Sequence, residues 1–335
     1  MCIRDRSEIL VLAEIENGTL HSTAGELLAA ARKLAAELNL DVSAALFGEI
    51  TEDINGEVVA LGADTVYTAS HPKLASNVAD AHVAALEQIC QQASPTAVLT
   101  AKTPLGRVVG PRLAYRMGVG VAQDCMNVTG EKISGKITVT RPVYGGNAMA
   151  AFTFTDKNPQ FIVVRVKAFE ALERDDSRVG RIVELDMDIA DDQIKVKLIE
   201  TVKEESEGVK LEDASVIVSG GRGLGGPEPF SQLEELAKMF NGAVGASRAV
   251  CDAGWLDHSY QVGLTGKTVS PDLYITVGIS GASQHMAGCS SSKSIVAINK
   301  DSEANIFKEA SFGVVGDWEK VLPSFTATVQ ELLSS

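Results

Sequence analysis

Short apolar runs alternate with segments of helical spacing, and this alternation is the feature that most constrains the fold. Residues 8–15 form an apolar run, and residues 24–38 follow with strong helix formers at helical spacing. The same order repeats, with strands predicted at 42–47, 64–69 and 96–101 and helices predicted near 51–61, 74–92 and 104–117. Such alternation predicts a parallel sheet with helices on both faces.

The pattern changes between residues 120 and 205. Residues 136–154 and 160–169 are typical of strands joined by turns, and we predict that they add antiparallel edge strands or a small sheet. The acidic stretch 170–192 is predicted to be a solvated excursion, and residues 195–205 fit a returning strand.

A second block of alternation begins at residue 214. Its strands are predicted at 214–219, 243–250, 272–280, 294–299 and 311–317, and its helices at 230–240 and 317–333. The charged run at 205–214, ESEGVKLEDA, precedes this block and is typical of an interdomain linker. We therefore predict two α/β domains. The first, residues 7–205, has a parallel sheet with antiparallel additions, and the second, residues 208–335, is doubly wound with a flavodoxin-like or related strand order.

Composition and charge argue against several classes of protein. The net charge of −14 argues against a general nucleic-acid binder, which needs a basic face. No apolar run reaches the roughly 20 residues that span a bilayer, and the N-terminal MCIRDRSE lacks the apolar stretch of a secretory signal. The five cysteines are widely spaced, which predicts buried thiols in a reducing compartment and no disulfide framework or metal site.

A glycine-rich loop, SGGRGLGGPEPF at 219–230, lies between a predicted strand and a predicted helix. Gly221, Gly223 and Gly226 match the spacing G-x-G-x-x-G, in which glycine lets a phosphate approach the backbone. The acidic residue that an NAD site carries about 20 positions later is absent. Two interpretations stay open: a tight βα turn, or a dinucleotide pyrophosphate site with Arg222 as an added cation.

A second polar region, residues 260–299, is dense in Gly, Ser, Thr and Gln and is bracketed by strands. The turn at Ser280 and Gly281 precedes a predicted helix start at 282–287, which leaves backbone amides free to face an anion. His285 follows this turn beside Gln284. A lone histidine is often structural, but its place at the carboxyl end of a strand favours contact with a ligand.

The chain resembles the alpha subunit of electron-transfer flavoproteins over nearly all its length. The match is sharpest in LYITVGISGASQHMAGCSSSKSIVAIN at 273–299, and SGGRGL, GASRAVCDAGW, QVGLTGKTVSPDLY and AINKD support it in the family's order. The resemblance implies that the second domain is an FAD-binding domain. It also implies an electron carrier without an organic substrate of its own, and therefore not an enzyme in the ordinary sense.

The resemblance further implies the partners. A beta subunit that holds AMP completes a heterodimer and packs on the N-terminal domain. Electrons come from flavin dehydrogenases, such as the acyl-CoA dehydrogenases of fatty acid beta-oxidation, and pass to a membrane quinone oxidoreductase. The protein is expected in the bacterial cytoplasm, or in the mitochondrial matrix of a eukaryote, without membrane insertion.

Two other classes of function stay open from the residues alone. One is a self-sufficient NAD- or flavin-dependent oxidoreductase, for which Asp252, Asp257 and His258 are the nearby polar candidates. The other is a nucleotide-binding regulatory module. A visible flavin spectrum separates the first of these from the second.

The resemblance also implies roles for single residues. Arg222 contacts the FAD diphosphate, and the Arg248 guanidinium lies over the isoalloxazine with Ser247 nearby. The Thr265 hydroxyl approaches flavin N5, and His285 points towards the pyrimidine carbonyl O2. Arg248 and His285 then stabilise the negative charge that the flavin gains with an electron. The other implied cofactor contacts are Gln261, Val262, Gly263 and Leu264 around the ring, Ser280, Gly281, Ala282, Ser283 and Gln284 at the pyrophosphate and ring, and Asn299, Asp317 and Trp318.

Two of these positions depart from the family pattern. Leu264 stands where a glutamine is common, and Ser283 stands where an aliphatic residue is common. Neither change removes a residue expected to hold the diphosphate, so we expect FAD binding to survive while the redox potentials change.

Overall fold

The chain forms two compact units, Met1–Thr201 and Val202–Ser335, in a computed structural model that describes residues 7–144, 148–154, 157–200 and 209–334. The boundary between the units, and residues 205–208 of the predicted linker, lie outside the described residues. The described part of each unit contains a parallel sheet with helices on both faces, so the predicted α/β class is confirmed.

The first unit is built on a seven-stranded sheet in which every pairing is parallel. The strands in spatial order are β12-β5-β4-β1-β6-β11-β7. The described elements in chain order are β1 (Glu8–Ala13), β2 (Ile15–Glu16), β3 (Thr19–Leu20), α1 (Thr23–Leu38), β4 (Asp41–Phe47), α2 (Glu52–Ala60), β5 (Thr65–Ala69), α3 (Ala79–Ala93), β6 (Ala97–Ala101), α4 (Gly106–Met117), β7 (Val121–Cys125), β8 (Asn127–Gly130), β9 (Ile137–Val143), β10 (Ala148–Thr153), β11 (Gln160–Val164) and β12 (Arg181–Glu184).

The central strands β1, β4, β6 and β11 are buried on both faces, which explains why they are mostly apolar runs. Ile9 and Val11 of β1 pack towards α1 and α2, and Leu10 and Leu12 pack towards α3 and α4. Strands β8, β9 and β10 form a separate three-stranded antiparallel sheet, as predicted for residues 136–154.

The predictions for residues 160–192 were wrong in two respects. Strand β11 is not an antiparallel edge strand, because it pairs in parallel with β6 and β7 and is buried along its whole length. Most residues of the predicted solvated excursion are exposed as expected, but the segment also contains β12, which pairs with β5, and the buried side chains of Met187 and Ile189. A short apolar strand has the same local pattern in either position, so only the tertiary pairing separates them. Residues 195–200 form no strand, and 201–205 lie outside the described residues.

The second unit has a five-stranded parallel sheet in the order β14-β13-β15-β16-β17. Numbered within the unit this order is 2-1-3-4-5, the flavodoxin-like doubly wound order that was predicted. Its elements are β13 (Val216–Gly220), α5 (Phe230–Met239), β14 (Ala243–Ala246), α6 (Arg248–Asp252), β15 (Leu273–Val277), α7 (Ser283–Cys289), β16 (Ser294–Asn299), α8 (Ile306–Glu309), β17 (Phe312–Val315) and α9 (Trp318–Ser334).

One boundary in this unit corrects the sequence analysis. The strand predicted at 243–250 ends at Ala246, and Arg248 is the first residue of α6 instead of the end of a strand. Arg248 still follows the carboxyl end of the strand, where ligands bind in doubly wound sheets.

The described residues bear on three expectations, which concern membrane-spanning helices, metal sites and cysteines. No helix among them is long and apolar enough to cross a membrane. They contain no cluster of three or more side chains suited to a metal ion. Cys90, Cys125, Cys251 and Cys289 are buried free thiols, as predicted.

Candidate functional site

A cavity of about 590 Å³ lies at the carboxyl ends of β13, β14, β15 and β16 in the second unit. Its volume is in the range of small-molecule sites, and its position is the ligand crevice of a doubly wound sheet. The predicted site residues that line it are Arg222, Ser247, Arg248, Gln261, Val262, Gly263, Leu264, Thr265, Ser280, Ala282, Gln284, His285 and Asn299.

The glycines after β13 bring two loops of the cavity wall together. A Cβ on Gly221 would lie 2.2 Å from the carbonyl oxygen of Gly278, and a Cβ on Gly223 would lie 2.8 Å from the same oxygen. Gly223 N also donates to that oxygen at 3.1 Å. These glycines therefore serve the contact between the loops. No residue of α5 lines the cavity, so the site differs from a G-x-G-x-x-G site in which the next helix receives the phosphate.

Two arginines and two carboxylates give the cavity wall its charge. Arg248 and Asp252 form an ion pair, with 3.2 Å between Nε and Oδ2, and the Arg248 side chain is 66% exposed. Arg222 is exposed and has no carboxylate within 4.0 Å among the described residues. Asp301 is the second carboxylate on the wall. Arg222 is therefore the cation best placed for a ligand anion.

A hydrogen-bonded chain of side chains orients Thr265. Gln261 is buried, and its Nε2 donates to the Thr265 oxygen at 2.9 Å. Its Oε1 pairs with Nδ1 of His258 at 3.1 Å. Because the Thr265 oxygen already accepts this bond, its own hydroxyl proton can be donated into the cavity.

His285 lies at the cavity wall with both ring nitrogens buried. The residue is 6% exposed, and its Nε2 lies 3.0 Å from the hydroxyl of Tyr274. Nδ1 is buried and has no hydrogen-bond partner among the described residues. Burial lowers the pKa of His285 from 6.5 to about 4, so the ring is neutral at pH 7. The backbone carbonyl of Val262 also acts as an acceptor towards the ring, so the folded chain itself offers the imidazole a second polar neighbour beside Tyr274.

Gly281, Ser283, Asp317 and Trp318 do not line this cavity. Gly281 has φ +77°, and a Cβ there would lie 2.2 Å from the backbone nitrogen of Ile306, so it shapes the turn before α7. Asp317 accepts a hydrogen bond from Glu319 N at 3.2 Å at the start of α9. Ser283 is exposed on α7. Trp318 lines a separate cavity of about 30 Å³, whose other lining residues are Gly223, Gly278, Ile298, Asn299, Lys300 and Gly316.

Several residues of the site were missed by sequence reasoning. Tyr274 lies in an apolar strand and has the pattern of a core residue, so no local signal links it to His285. Of the polar candidates for a self-sufficient enzyme, Asp252 lines the cavity and is paired with Arg248, whereas Asp257 and His258 do not line it. The lining residues that sequence reasoning did not name are Ala249, Gly278, Ile279, Asp301 and Ala304.

The arrangement fits a large anionic cofactor with hydrogen-bonding atoms. Arg222 and Arg248 offer it positive charge, and the hydroxyl of Thr265 offers it a hydrogen-bond donor.

Comparison with known proteins gives two family-model matches. Residues 9–190 match the model described as "Electron transfer flavoprotein domain", and residues 210–290 match the "Electron transfer flavoprotein FAD-binding domain". The second match covers most of the loops that line the cavity.

Three relatives show how far the similarity extends. The electron transfer flavoprotein subunit alpha of Thermoanaerobacterium thermosaccharolyticum is 42% identical over 98% of this chain and 100% of its own length. That of Bacillus subtilis is 41% identical over 97% of this chain and 98% of its own length. A subunit of the lactate dehydrogenase (NAD(+),ferredoxin) of Acetobacterium woodii is 34% identical over 96% of this chain and 77% of its own length.

Proposed function

The chain belongs to the electron transfer flavoprotein alpha-subunit family, and from this premise we propose that its second unit binds FAD in the 590 Å³ cavity. FAD is the cofactor of the family's C-terminal domain. The observation that carries the proposal is a cavity at the carboxyl ends of the parallel strands, with Arg222, Arg248 and the buried ring of His285 on its wall. When bound, FAD supplies one-electron and two-electron transfer.

The side chains of the cavity then hold the cofactor and set the electrostatic field around it. Arg222 binds the diphosphate through charge-assisted hydrogen bonds, because it has no competing carboxylate among the described residues. Arg248, partly neutralised by Asp252, places positive charge at the wall and favours a reduced, negatively charged cofactor. Thr265 offers a hydroxyl proton whose direction is set by Gln261. The other predicted lining residues supply backbone contacts and shape.

The protein works as an electron carrier in a heterodimer with a beta subunit that holds AMP, and it has no organic substrate of its own. The similarity to two alpha subunits over nearly their whole length supports this. Its donors are flavin dehydrogenases such as the acyl-CoA dehydrogenases of fatty acid beta-oxidation, its acceptor is a membrane quinone oxidoreductase, and it works in the cytoplasm. The relative named as a lactate dehydrogenase subunit makes a lactate-linked electron path the alternative to test.

The first test is the FAD content of the chain co-expressed with its beta subunit. We expect a yellow heterodimer with one FAD in this subunit. Arg222→Ala should raise the dissociation constant of FAD about 10- to 150-fold, because a charge-assisted contact is worth about 1.5–3 kcal/mol. Lys238→Ala, which removes an exposed cation of α5, is the matched control and should leave the affinity unchanged. Equal affinity of both variants would remove Arg222 from the site, and a colourless heterodimer would refute the proposal.

A second test identifies the donor. The heterodimer is mixed with an acyl-CoA dehydrogenase and its acyl-CoA, or with a flavin-dependent lactate dehydrogenase and lactate, and reduction is followed by the loss of flavin absorbance. We expect reduction in the first mixture. Reduction only in the second would replace the proposed donor while leaving the FAD site intact.

A further inference from the structure

We propose that Tyr274 is a positioning residue that keeps the proton of neutral His285 on Nδ1, so that this ring of the cavity wall donates from Nδ1 and not from Nε2. The inference deepens the proposed function and rests on it, because the ligand of that cavity is taken to be FAD.

The two rings are held together beneath the cavity. Tyr274 lies in β15 and is fully buried, and its hydroxyl lies 3.0 Å from His285 Nε2. The ring centroids are 6.0 Å apart. The backbone nitrogen of His285 donates to Ala282 O at 2.9 Å, which fixes the first turn of α7. The imidazole therefore has Nε2 on Tyr274, while Nδ1 is buried and makes no hydrogen bond of good geometry with the described residues.

The direction of the hydrogen bond follows from the acceptors around the phenol. The Ser219 hydroxyl and the Cys289 thiol also lie near it. Ser219 Oγ makes no hydrogen bond of good geometry with any described residue, and the Cys289 thiol is directed at the carbonyl oxygen of His285 at 3.5 Å. A neutral imidazole nitrogen is a much better acceptor than a hydroxyl or a thiol. The phenol proton of Tyr274 is therefore donated to Nε2.

A neutral imidazole carries one proton, so a ring that accepts at Nε2 has its N–H at Nδ1. Burial raises the pKa of Tyr274 and lowers the pKa of His285, which keeps both rings neutral at pH 7. The backbone carbonyl of Val262 raises the pKa of His285, against the effect of burial, because it accepts a hydrogen bond from a ring N–H. His285 can then donate only from Nδ1, and the Val262 carbonyl is an acceptor that the folded chain itself offers to this N–H.

The test is a tautomer measurement on the heterodimer labelled with ¹⁵N-histidine. Long-range ¹H–¹⁵N spectra distinguish the protonated ring nitrogen from the bare one, and His285→Gln identifies the signals. In wild-type protein, both stripped of FAD and loaded with it, we expect Nδ1 to be protonated and Nε2 to be bare. A protonated Nε2 would overturn the inference, whether or not FAD is bound.

Three variants separate positioning from a structural role. Tyr274→Phe should mix the two tautomers and weaken FAD binding about 5- to 30-fold, the effect of losing one buried hydrogen bond. Tyr67→Phe removes another buried phenol, which donates to Glu8 Oε1 at 3.0 Å in the first unit, and should change neither quantity. Ser219→Ala should keep the Nδ1–H tautomer, because the phenol does not donate to Ser219.

The outcomes distinguish this inference from the proposed function. A heterodimer without FAD refutes the proposed function, while the tautomer of the stripped protein still tests the inference. An unchanged tautomer in Tyr274→Phe, or a tautomer that changes in Ser219→Ala, would contradict the inference even if FAD binds. If Tyr274→Phe fails to fold, the wild-type tautomer and Ser219→Ala decide.

Discussion

Arg248 interacts with Asp252 while it lines the cavity. The two residues are four positions apart in α6, which places them on one face of the helix. Their charges change the potential in the cavity in opposite directions. The field at a bound cofactor therefore depends on the pair and not on Arg248 alone.

Removing the charge of Arg248 and removing that of Asp252 should shift the first reduction potential of the bound FAD in opposite directions. Arg248→Ala should lower it by roughly 40–90 mV, because a screened charge contact of about 1–2 kcal/mol is lost. Asp252→Asn, which removes the countercharge and keeps the shape, should raise it by a smaller amount. Arg248→Lys should recover only part of the wild-type value, since an ammonium does not stack on a ring.

The measurement is a spectroelectrochemical titration of the heterodimers at equal FAD content. The same potential in all four proteins would show that Arg248 is a surface residue paired with Asp252 and has no contact with the cofactor.

The loop at residues 261–266 depends on α7 for its position. Leu264 N donates to Gln284 O at 2.7 Å, and a Cβ on Gly288 would lie 2.4 Å from the backbone nitrogen of Gly263. Because the loop carries Thr265, the closeness of α7 sets where the Thr265 hydroxyl lies. Gly288 is required for this contact although its own conformation is helical.

Alanine substitutions at two helical glycines should change the stability of their units in opposite directions. Gly288→Ala should destabilise the second unit by about 1–3 kcal/mol through overpacking, and should weaken FAD binding. Gly56→Ala in α2 of the first unit, where a Cβ meets nothing within 4 Å, should stabilise that unit by about 0.5–1 kcal/mol.

The stability of each unit is measured in urea with a probe of its own. Trp255 and Trp318 are the two tryptophans of the chain and both lie in the second unit, so tryptophan fluorescence follows that unit. Hydrogen exchange of the α2 amides follows the first. A Gly288→Ala protein as stable as wild type would show that the loop moves away without cost.

The two units carry buried groups whose pKa values are shifted in opposite directions. In the first unit burial raises the pKa of Glu14 from 4.5 to about 7, although the Thr103 hydroxyl donates to it at 2.5 Å. In the second unit burial lowers the pKa of His285 from 6.5 to about 4. Each group is therefore kept neutral near pH 6 in the folded chain.

The whole molecule should consequently respond to pH in two directions. The folded pKa of Glu14 exceeds the unfolded one, so its contribution is full below pH 4.5 and is lost as pH rises through about 7. The folded pKa of His285 lies below the unfolded one, so its contribution is full above pH 6.5 and is lost as pH falls through about 4. Each effect should amount to about 3 kcal/mol across its window.

The check is denaturant unfolding of the chain from pH 4 to pH 8. Tryptophan fluorescence follows the second unit, and hydrogen exchange of β1 amides follows the first. Glu14→Gln should reduce the pH dependence of the first unit without abolishing it, because burial also raises the pKa of Glu26 to about 7 and lowers the pKa of His82. His285→Gln should flatten the profile of the second unit. Profiles that neither variant changes would contradict the prediction.

The sequence by itself determined the order and type of most elements, the flavodoxin-like second domain, and the loops that line the cavity. Hydrophobic period reports which faces of an element are buried, and glycine and proline report where the chain turns; both are local properties. The polar region around Ser280 and His285 could be identified from the sequence because it follows a buried strand, at the end where doubly wound sheets bind their ligands.

Only the tertiary structure decided which partners cover those buried faces. The local pattern of β11 did not show that it lies between β6 and β7, and that of residues 181–184 did not show that they pair with β5. Tyr274 was indistinguishable from a core residue until the fold placed its hydroxyl on His285. The physical reason is that burial is encoded along the chain, whereas the choice of partner depends on contacts between residues far apart in it.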